Sequence, residues 1–327
     1  MQQIMRFAAL VALSWIVLCA EAYCDTVGEM RPEDHLVAIG PALRNLDYKG
    51  VFVYEQGGQR TNQQWVHAVR NGIEYERLLG LDGAHREVLR QRPLGCMQHS
   101  EKAIHAQLLT ALTGNINAFG AYYDVALTGN DTVAGRQAYV ILVKPKDEYR
   151  FGYRFFADVE THLLLGADML DVQGNVLEKF RFIQLRIGNV AESDLAALTS
   201  SPIQMDASQC EAQGKPAVTL SNPHWVLDSP AGFTLCNQER RKQGNEEEDV
   251  LMYSDGLSHF TVFIRPQSKP SQDELMQQGG SMQRGNTLLR SESLEFNDQM
   301  YAVTIVGEIP EVTSRKVISQ IKPVSAP

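Results

Sequence analysis

Positive charge is scarce in this 327-residue chain: 30 Lys and Arg stand against 39 Asp and Glu, a formal net charge of -9. Nucleic-acid binding draws its affinity from Lys and Arg that neutralise phosphates, so the acidic balance argues against that class of partner. Long apolar runs are as rare. The one that stands out runs from Phe7 to Ala20, behind a single base, Arg6, and ahead of Ala20-Glu21-Ala22, a small-x-small cleavage pattern. It falls short of the roughly 20 apolar residues that a spanning helix needs. Residues 1–22 therefore read as a signal peptide, with export and a mature chain from near Tyr23; an uncleaved anchor is the rival reading. Tyr23 occupies the place before Cys24 where lipid-modified chains carry a small residue, which argues against lipidation.

Cysteine is sparse too, at five residues. Beyond the leader these are Cys24, Cys96, Cys210 and Cys236, which can pair in any of three ways in an oxidising compartment. Cys210 with Cys236, both assigned to the second domain, is the favoured pairing, and buried free thiols are the alternative. Missing altogether are a Gly-x-Ser-x-Gly elbow, a His-Glu-x-x-His helix, a P-loop and a dinucleotide glycine pattern. With export, these absences point to a binding protein that is not an enzyme and needs no cofactor. Cys96, His99 and His105 have metal-ligand chemistry, but their spacing fits no closed four-ligand site, so no metal is expected. His67 reads as an ordinary half-buried strand residue, and Asp168 and Asp171 as turn residues rather than a carboxylate pair. Arg240-Arg241-Lys242 and Glu246-Glu247-Glu248-Asp249 read as two solvated loop faces, or alternatively as charges that steer a partner.

What is abundant is strand signal. Leu36, Ile39, Leu43 and Leu46 recur at helical spacing and predict a first helix. A meander follows: Tyr48–Gln56, Asn62–Val69, Ile73–Leu79 and Arg86–Arg92, with Asn71-Gly72 as a type I′ hairpin turn. Residues 93–121 carry only a weak helical pattern. Strands resume at Tyr122–Leu127, Gln137–Lys144, Tyr149–Phe156, His162–Leu170 and Val176–Ile187, with Gly129-Asn130 as one of the turns. Short antiparallel connections predict a curved sheet or incomplete barrel. Phe151, Tyr153 and Phe155 oppose Phe156, and Leu163 and Leu165 oppose Leu164 and Leu170, so these strands are apolar on both faces. Either helices cover the second face, or the sheet wraps an apolar cavity lined by Phe151, Tyr153, Phe155, Leu163 and Leu165. Glu192–Leu198 suggests a short helix. A polar linker, 199–216, then separates an N-terminal domain, 23–198, from a smaller α+β domain, 217–322, and a tail, 323–327. The second domain is expected to have strands near Val218–Leu220, Phe233–Arg241, Val250–Ser254, Phe260–Arg265, Thr287–Glu292 and Met300–Glu308. Its helices are expected at Gln272–Gln278 and from Pro310 onward.

Several stretches, taken in order, carry a family resemblance: Leu46-x-Tyr48-x-Gly50, Leu81-Asp82-Gly83, Arg86-Glu87-Val88, Leu177-Glu178-x-Phe180-Arg181, Trp225, Pro230-x-Gly232-Phe233, Tyr253-Ser254-Asp255-Gly256-Leu257 and Thr304-Ile305-Val306-Gly307-Glu308-Ile309-Pro310. Together they resemble the MucB/RseB family of periplasmic negative regulators of the sigma-E (AlgU-type) envelope-stress response. The resemblance implies an α+β fold, with a LolA/LolB-like half-open antiparallel β-barrel and a smaller C-terminal α+β domain. It also implies a periplasmic location and a partner, the periplasmic segment of a MucA/RseA-type anti-sigma factor, which the protein shields from the site-1 protease. Lipopolysaccharide or lipoprotein acyl chains are the implied releasing signals. The partner surface is expected around Tyr253, Asp255, Gly256 and Phe260. A lipid or lipoprotein carrier of the LolA type is the alternative, and the oligomeric state, homo-oligomer included, stays open.

Overall fold

The computed structural model describes residues 30–83, 86–94, 119–196, 203–204, 224–243, 246–267 and 280–324. Residues from Pro32 onward form one compact unit, built on two large sheets, of ten and six strands, that we call the first and second lobes.

The first lobe opens with helix α1 (Pro32–Asn45), whose stripe of Leu36, Ile39 and Leu43 is buried as its spacing predicts. Pro32 suits a first helical position, where no backbone donor is needed. The strands are β1 (Tyr48–Gln56), β2 (Gln59–Arg70), β3 (Ile73–Gly80), β4 (Glu87–Pro93), β5 (Tyr123–Val133), β6 (Arg136–Pro145), β7 (Gly152–Asp158), β8 (Leu164–Leu170), β9 (Val176–Ile187) and the short β10 (Ile203–Gln204). Short helices α2 (Phe119–Tyr122) and α3 (Glu192–Leu195) complete the lobe. The ten strands run in the order β10-β4-β3-β2-β1-β9-β8-β7-β6-β5. Neighbours are antiparallel except β10, which lies parallel to β4. The sheet does not close on itself, so the expected half-open LolA/LolB-like barrel is the fold observed. Bulges at Val51/Phe52, Leu127/Gly129 and Phe156/Ala157 bend it, since an extra residue in one strand sharpens the local twist.

Asn71-Gly72 makes the expected tight turn, with φ of 53° and 75°. Gly129-Asn130 does not turn the chain. Gly129 sits at a bulge inside β5, and the hairpin is closed by Ala134-Gly135, both at positive φ.

Inside the curve, α1 packs on Tyr48, Phe52, Trp65, Phe180 and Phe182, the rings meeting edge-on or stacked at 4.9–6.5 Å. A charged patch adjoins this core. Glu74 receives Arg92 through Nε and Nη2, both at 2.9 Å. Nε2 of His67 lies 3.2 Å from Glu74, and its Nδ1 2.7 Å from the Leu46 carbonyl. Both of those partners are acceptors, so the imidazole donates to each. His67 is thus fully buried in an ion network, deeper than the half-buried position expected. Asp171 caps its turn as anticipated, accepting from the backbone N–H of Gln173 and Asn175. Asp168 instead lies on β8 and pairs with Arg181 at 2.9 Å and Arg154 at 3.3 Å; the turn begins three residues later than the sequence suggested.

The second lobe has β11 (Trp225–Leu227), β12 (Thr234–Gln243), β13 (Glu246–Ser254), β14 (His259–Gln267), β15 (Gly280–Arg284), β16 (Thr287–Phe296), β17 (Gln299–Gly307), helix α4 (Glu311–Gln320) and β18 (Ile321–Pro323). Six of the strands form an antiparallel sheet ordered β12-β13-β14-β17-β16-β15, and β11 pairs with β18. Pro310 precedes α4 as its cap rather than starting it. Val317 and Ile318 of α4, with Ile321, bury against Val262, Ile264, Val303 and Ile305. The two charge runs are not loop faces. They are strands paired in register, Arg240 with Asp249, Arg241 with Glu248 and Lys242 with Glu247. Arg240 binds Asp249 at 2.8 Å, and Asp249 also accepts from the Trp225 indole at 2.9 Å. A basic run facing an acidic run across a hairpin satisfies its charges in this register, which favours that pairing.

Candidate functional site at the seam between the lobes

The β13–β14 turn of the second lobe is driven into the first. Leu257, at its tip, is buried within the first lobe's own core cluster. Asp255 at the start of the turn has a fully buried side chain, as does Arg150 of the first lobe, and the two meet at 2.9 Å. The carboxylate accepts from Arg150, from the Tyr123 hydroxyl at 2.8 Å, and from the N–H groups of Leu257 and Ser258 at 2.9 and 2.7 Å. Burial pushes the Asp255 carboxyl above its ordinary range, opposed by those donors. Four donors aimed at two oxygens make the ionised form the one this geometry holds.

Arg150 is engaged on every side. It reaches Asp147 at 3.0 Å and the Ala231 carbonyl at 2.5 Å. Its guanidinium carbon lies 4.8–5.5 Å from the ring centres of Tyr122, Tyr123 and Phe233. This planar cation stacks on aromatics while its edge satisfies carboxylates, a combination lysine could not reproduce. Thr313 of α4 adds a bond to the Tyr149 carbonyl at 2.7 Å.

Gly232 lies in the same contact. Its φ is +94°, and a Cβ there would stand 2.7 Å from the Tyr122 ring. Gly232→Ala is therefore expected to cost at least about 1–2 kcal/mol from the backbone alone, read as a lowered Tm. An unchanged Tm would mean that the contact is looser than its geometry.

A second polar group closes the other end of the seam. Asn286, at the β15–β16 turn and fully buried, donates to Glu178 of β9 and accepts from Gln56 of β1. Gly285 beside it, at φ +63°, leaves no room for a Cβ against Gln56. Burial lifts Glu178 to about 7, while hydrogen bonds from Tyr54 and Asn286 pull it down. Glu308, just past β17, is lifted to about 8 by burial and by the neighbouring Glu178 carboxylate.

The residues singled out from sequence come together here in an unexpected way. Tyr253 and Phe260 stack on each other in the second lobe's core, ring centres 5.3 Å apart, and Asp255 faces the first lobe. Gly256 takes the turn at φ +98°. Tyr253 and Phe260 are buried, whereas Asp255, through its backbone, and Gly256 are partly exposed at the turn that enters the first lobe. Of the five cavity candidates, Phe151, Tyr153, Phe155 and Leu163 share the cluster that receives Leu257, and the Tyr153 hydroxyl lies 3.4 Å from the Leu257 carbonyl. Leu165 belongs to the other face with Phe156, because the Phe156/Ala157 bulge shifts the alternation that put it beside Leu163. At Phe156 that face is covered by the guanidinium of Arg181, 3.5 Å above the ring. Cys236 is a free, partly buried thiol near the Thr234 carbonyl. Its suggested partner Cys210 lies outside the described residues, as do Cys96, His99, His105 and the helix expected at 272–278. Arg150, Tyr123, Asn286 and Glu308 were not picked out as site residues, since nothing in local pattern marks a residue whose partner is more than a hundred positions away.

Among the described residues no cluster of metal ligands occurs, and no helix is long and apolar enough to cross a membrane. The model of the MucB/RseB N-terminal domain matches residues 31–208, and that of the MucB/RseB C-terminal domain matches residues 219–322. The sigma factor AlgU regulatory protein MucB of Pseudomonas aeruginosa is 33% identical, over 90% of this chain and 91% of that protein. A complex of Pseudomonas aeruginosa MucA and MucB superposes with a TM-score of 0.73 at 32% identity, covering 90% of this chain and 99% of the other. A crystal structure of MucB gives 0.58 at 31% identity, covering 90% and 98%. With both halves matched in order and both lobes reproduced, the chain belongs to the MucB/RseB family.

Proposed function

We propose that this chain is a periplasmic regulator of a sigma-E (AlgU-type) response, and not an enzyme. It binds the periplasmic segment of a MucA/RseA-type anti-sigma factor and shields it from the site-1 protease, and lipidic products of envelope damage release it. The domains are taken as 23–198 and 217–322, with the linker between them. The observation that carries this reading is the superposition on MucB from the MucA/MucB complex. Identity and coverage barely differ between that structure and the MucB crystal structure, yet the TM-score falls from 0.73 to 0.58. The whole chain thus superposes better on MucB from the complex with MucA than on that MucB crystal structure.

On this reading the Tyr253–Phe260 turn serves the partner by fixing the lobes, and the anti-sigma segment adds to a sheet edge or lies in a groove that the docked lobes create. A lipidic signal must bind the released state better than the complex, because equal affinity shifts nothing. An acyl chain entering among Phe151, Tyr153, Phe155 and Leu163 would compete with Leu257 for the same apolar cluster, each buried CH₂ contributing about 0.8 kcal/mol.

The test is cleavage of the purified anti-sigma segment by its protease, with and without the mature chain. Slower cleavage is expected, and full protection should be lost when acyl lipid is added. Cleavage at an unaltered rate under saturating protein would remove the proposal. Point variants suit this assay better than deletion of the second lobe, because deletion would strip Leu257 and Asp255 from the first lobe's core.

A further inference from the structure

We propose that Glu178 and Glu308 form a proton-dependent clasp across the seam, holding the lobes docked while they keep a proton between them and letting the lobes part when both ionise. The docking half of this inference stands on the seam alone; its consequence for partner affinity rests on the function proposed above.

The fold treats its other buried acids differently. Glu74 has Arg92, Asp158 has Arg136, Asp168 has Arg181 and Asp255 has Arg150. Glu178 and Glu308 have no ion-pair partner among the described residues, although Glu178 is only 8% exposed and Glu308 is partly buried. Their surroundings are neutral. Tyr54 and Gln56 of β1 bond Glu178, the latter at 3.4 Å. Asn286 bonds both carboxyls and lies 3.3 Å from the Met169 sulfur of β8. Tyr153 of β7 faces both acids and is itself held neutral by burial. From β14, the His259 carbonyl accepts the Glu308 N–H, and burial lowers the affinity of its imidazole for a proton. One carboxyl comes from each lobe, so a single amide, Asn286, mediates between two acids that neither lobe could bring together alone.

Two like charges in this setting raise each other's proton affinity. In the docked form the pair therefore holds protons that it would release once water reached it, where an ordinary Glu titrates near 4.3. The sign follows: the docked form binds more protons than the parted form from about pH 4.5 up to about 8, so docking weakens as pH rises through that window.

The experiment is amide hydrogen exchange on the full mature chain between pH 6.0 and 8.5. Protection factors are used so that the intrinsic pH dependence of exchange cancels. Protection at residues 256–258 and 285–287 is expected to fall at least tenfold in the wild type and to stay level in the Glu178→Gln/Glu308→Gln variant, which keeps the shapes and removes the charge. The single Glu308→Gln variant should lie between the two. Level protection in the wild type, or the same fall in the double variant, overturns the clasp. In parallel, the purified anti-sigma segment should bind at least tenfold more weakly at pH 8.5 than at pH 6.0. A segment that binds at no pH, with the exchange result as expected, would sink the proposed function and leave the clasp standing. A segment that binds equally at both, with level exchange, would do the reverse.

Discussion

Arg150→Ala is expected to lower stability by about 3–5 kcal/mol, because it leaves Asp255 as a buried charge without its cation. The loss should be concentrated at the seam. Neither sheet contains Arg150 within a strand, so each keeps its own ladder. Urea unfolding followed by tryptophan fluorescence, with exchange at the seam amides, measures both aspects. Trp65 reports the first lobe and Trp225 the second, since each lies in its own lobe's core. The midpoint should drop and the two signals should separate. Adding Asp255→Asn removes the stranded charge and is expected to restore part of the loss, whereas Arg150→Lys should restore little, having neither the planar edge nor the stacking face. A midpoint that stays within error of the wild type would show that the contact is ornamental.

Glu74→Ala should cost a similar amount for a different reason. This carboxylate lies inside the first lobe, between Arg92 and His67, and its removal strands both donors. Burial pushes Glu74 up, but the hydrogen bonds from His67 and Arg92 more than offset that and bring it down to about 2. Against an ordinary value near 4.5 the folded value is depressed, so the stabilisation is present above about pH 4.5 and is lost as pH falls toward 2. A shift of that size corresponds to roughly 3 kcal/mol. Acid titration of stability should therefore be shallower below pH 4.5 in Glu74→Ala than in the wild type. Equal slopes would show that Glu74 is not the group responsible. The two pH effects are opposite in sign and separate in range: the stabilisation by Glu74 is lost in acid, while the Glu178–Glu308 pair loosens the seam in mild base.

Much of the frame could be read from the chain because it is local. Helix α1 follows from the spacing of Leu36, Ile39 and Leu43, β1 and β9 begin and end where the pattern placed them, and Asn71-Gly72 turns as its residue types require. Errors arose where a local rule met a long-range one. Gly129 looked like a turn and is a bulge, because the pairing of β5 with β6 continues past it to Val133. The charged runs at 240–242 and 246–249 looked like solvated loops because each is polar throughout; only their pairing across β12 and β13 shows that they neutralise one another.

The candidate site was legible only as fragments. Tyr253–Phe260 and the Phe151–Leu163 group were both singled out, one as a partner surface and the other as a cavity wall, and the structure merges them into one contact through Leu257, Tyr153, Arg150 and Asp255. Several stretches behind the family resemblance supply its parts: Asp255, Gly232, Glu178 and Glu308 all lie in them. Their roles were hidden because a buried ion pair or shared amide depends on which residues the fold brings together, and Arg150 and Asp255 are separated by 105 positions.

The account stands on the docked lobes being the form that grips the anti-sigma segment. Titration calorimetry of the periplasmic segment of a MucA-type anti-sigma factor into the mature chain, wild type against Arg150→Ala, tests this most directly. Saturable binding by the wild type, weakened at least tenfold in a variant whose two lobes remain folded by circular dichroism, is the predicted result. No binding by the wild type, or equal affinity in the two proteins, would contradict it.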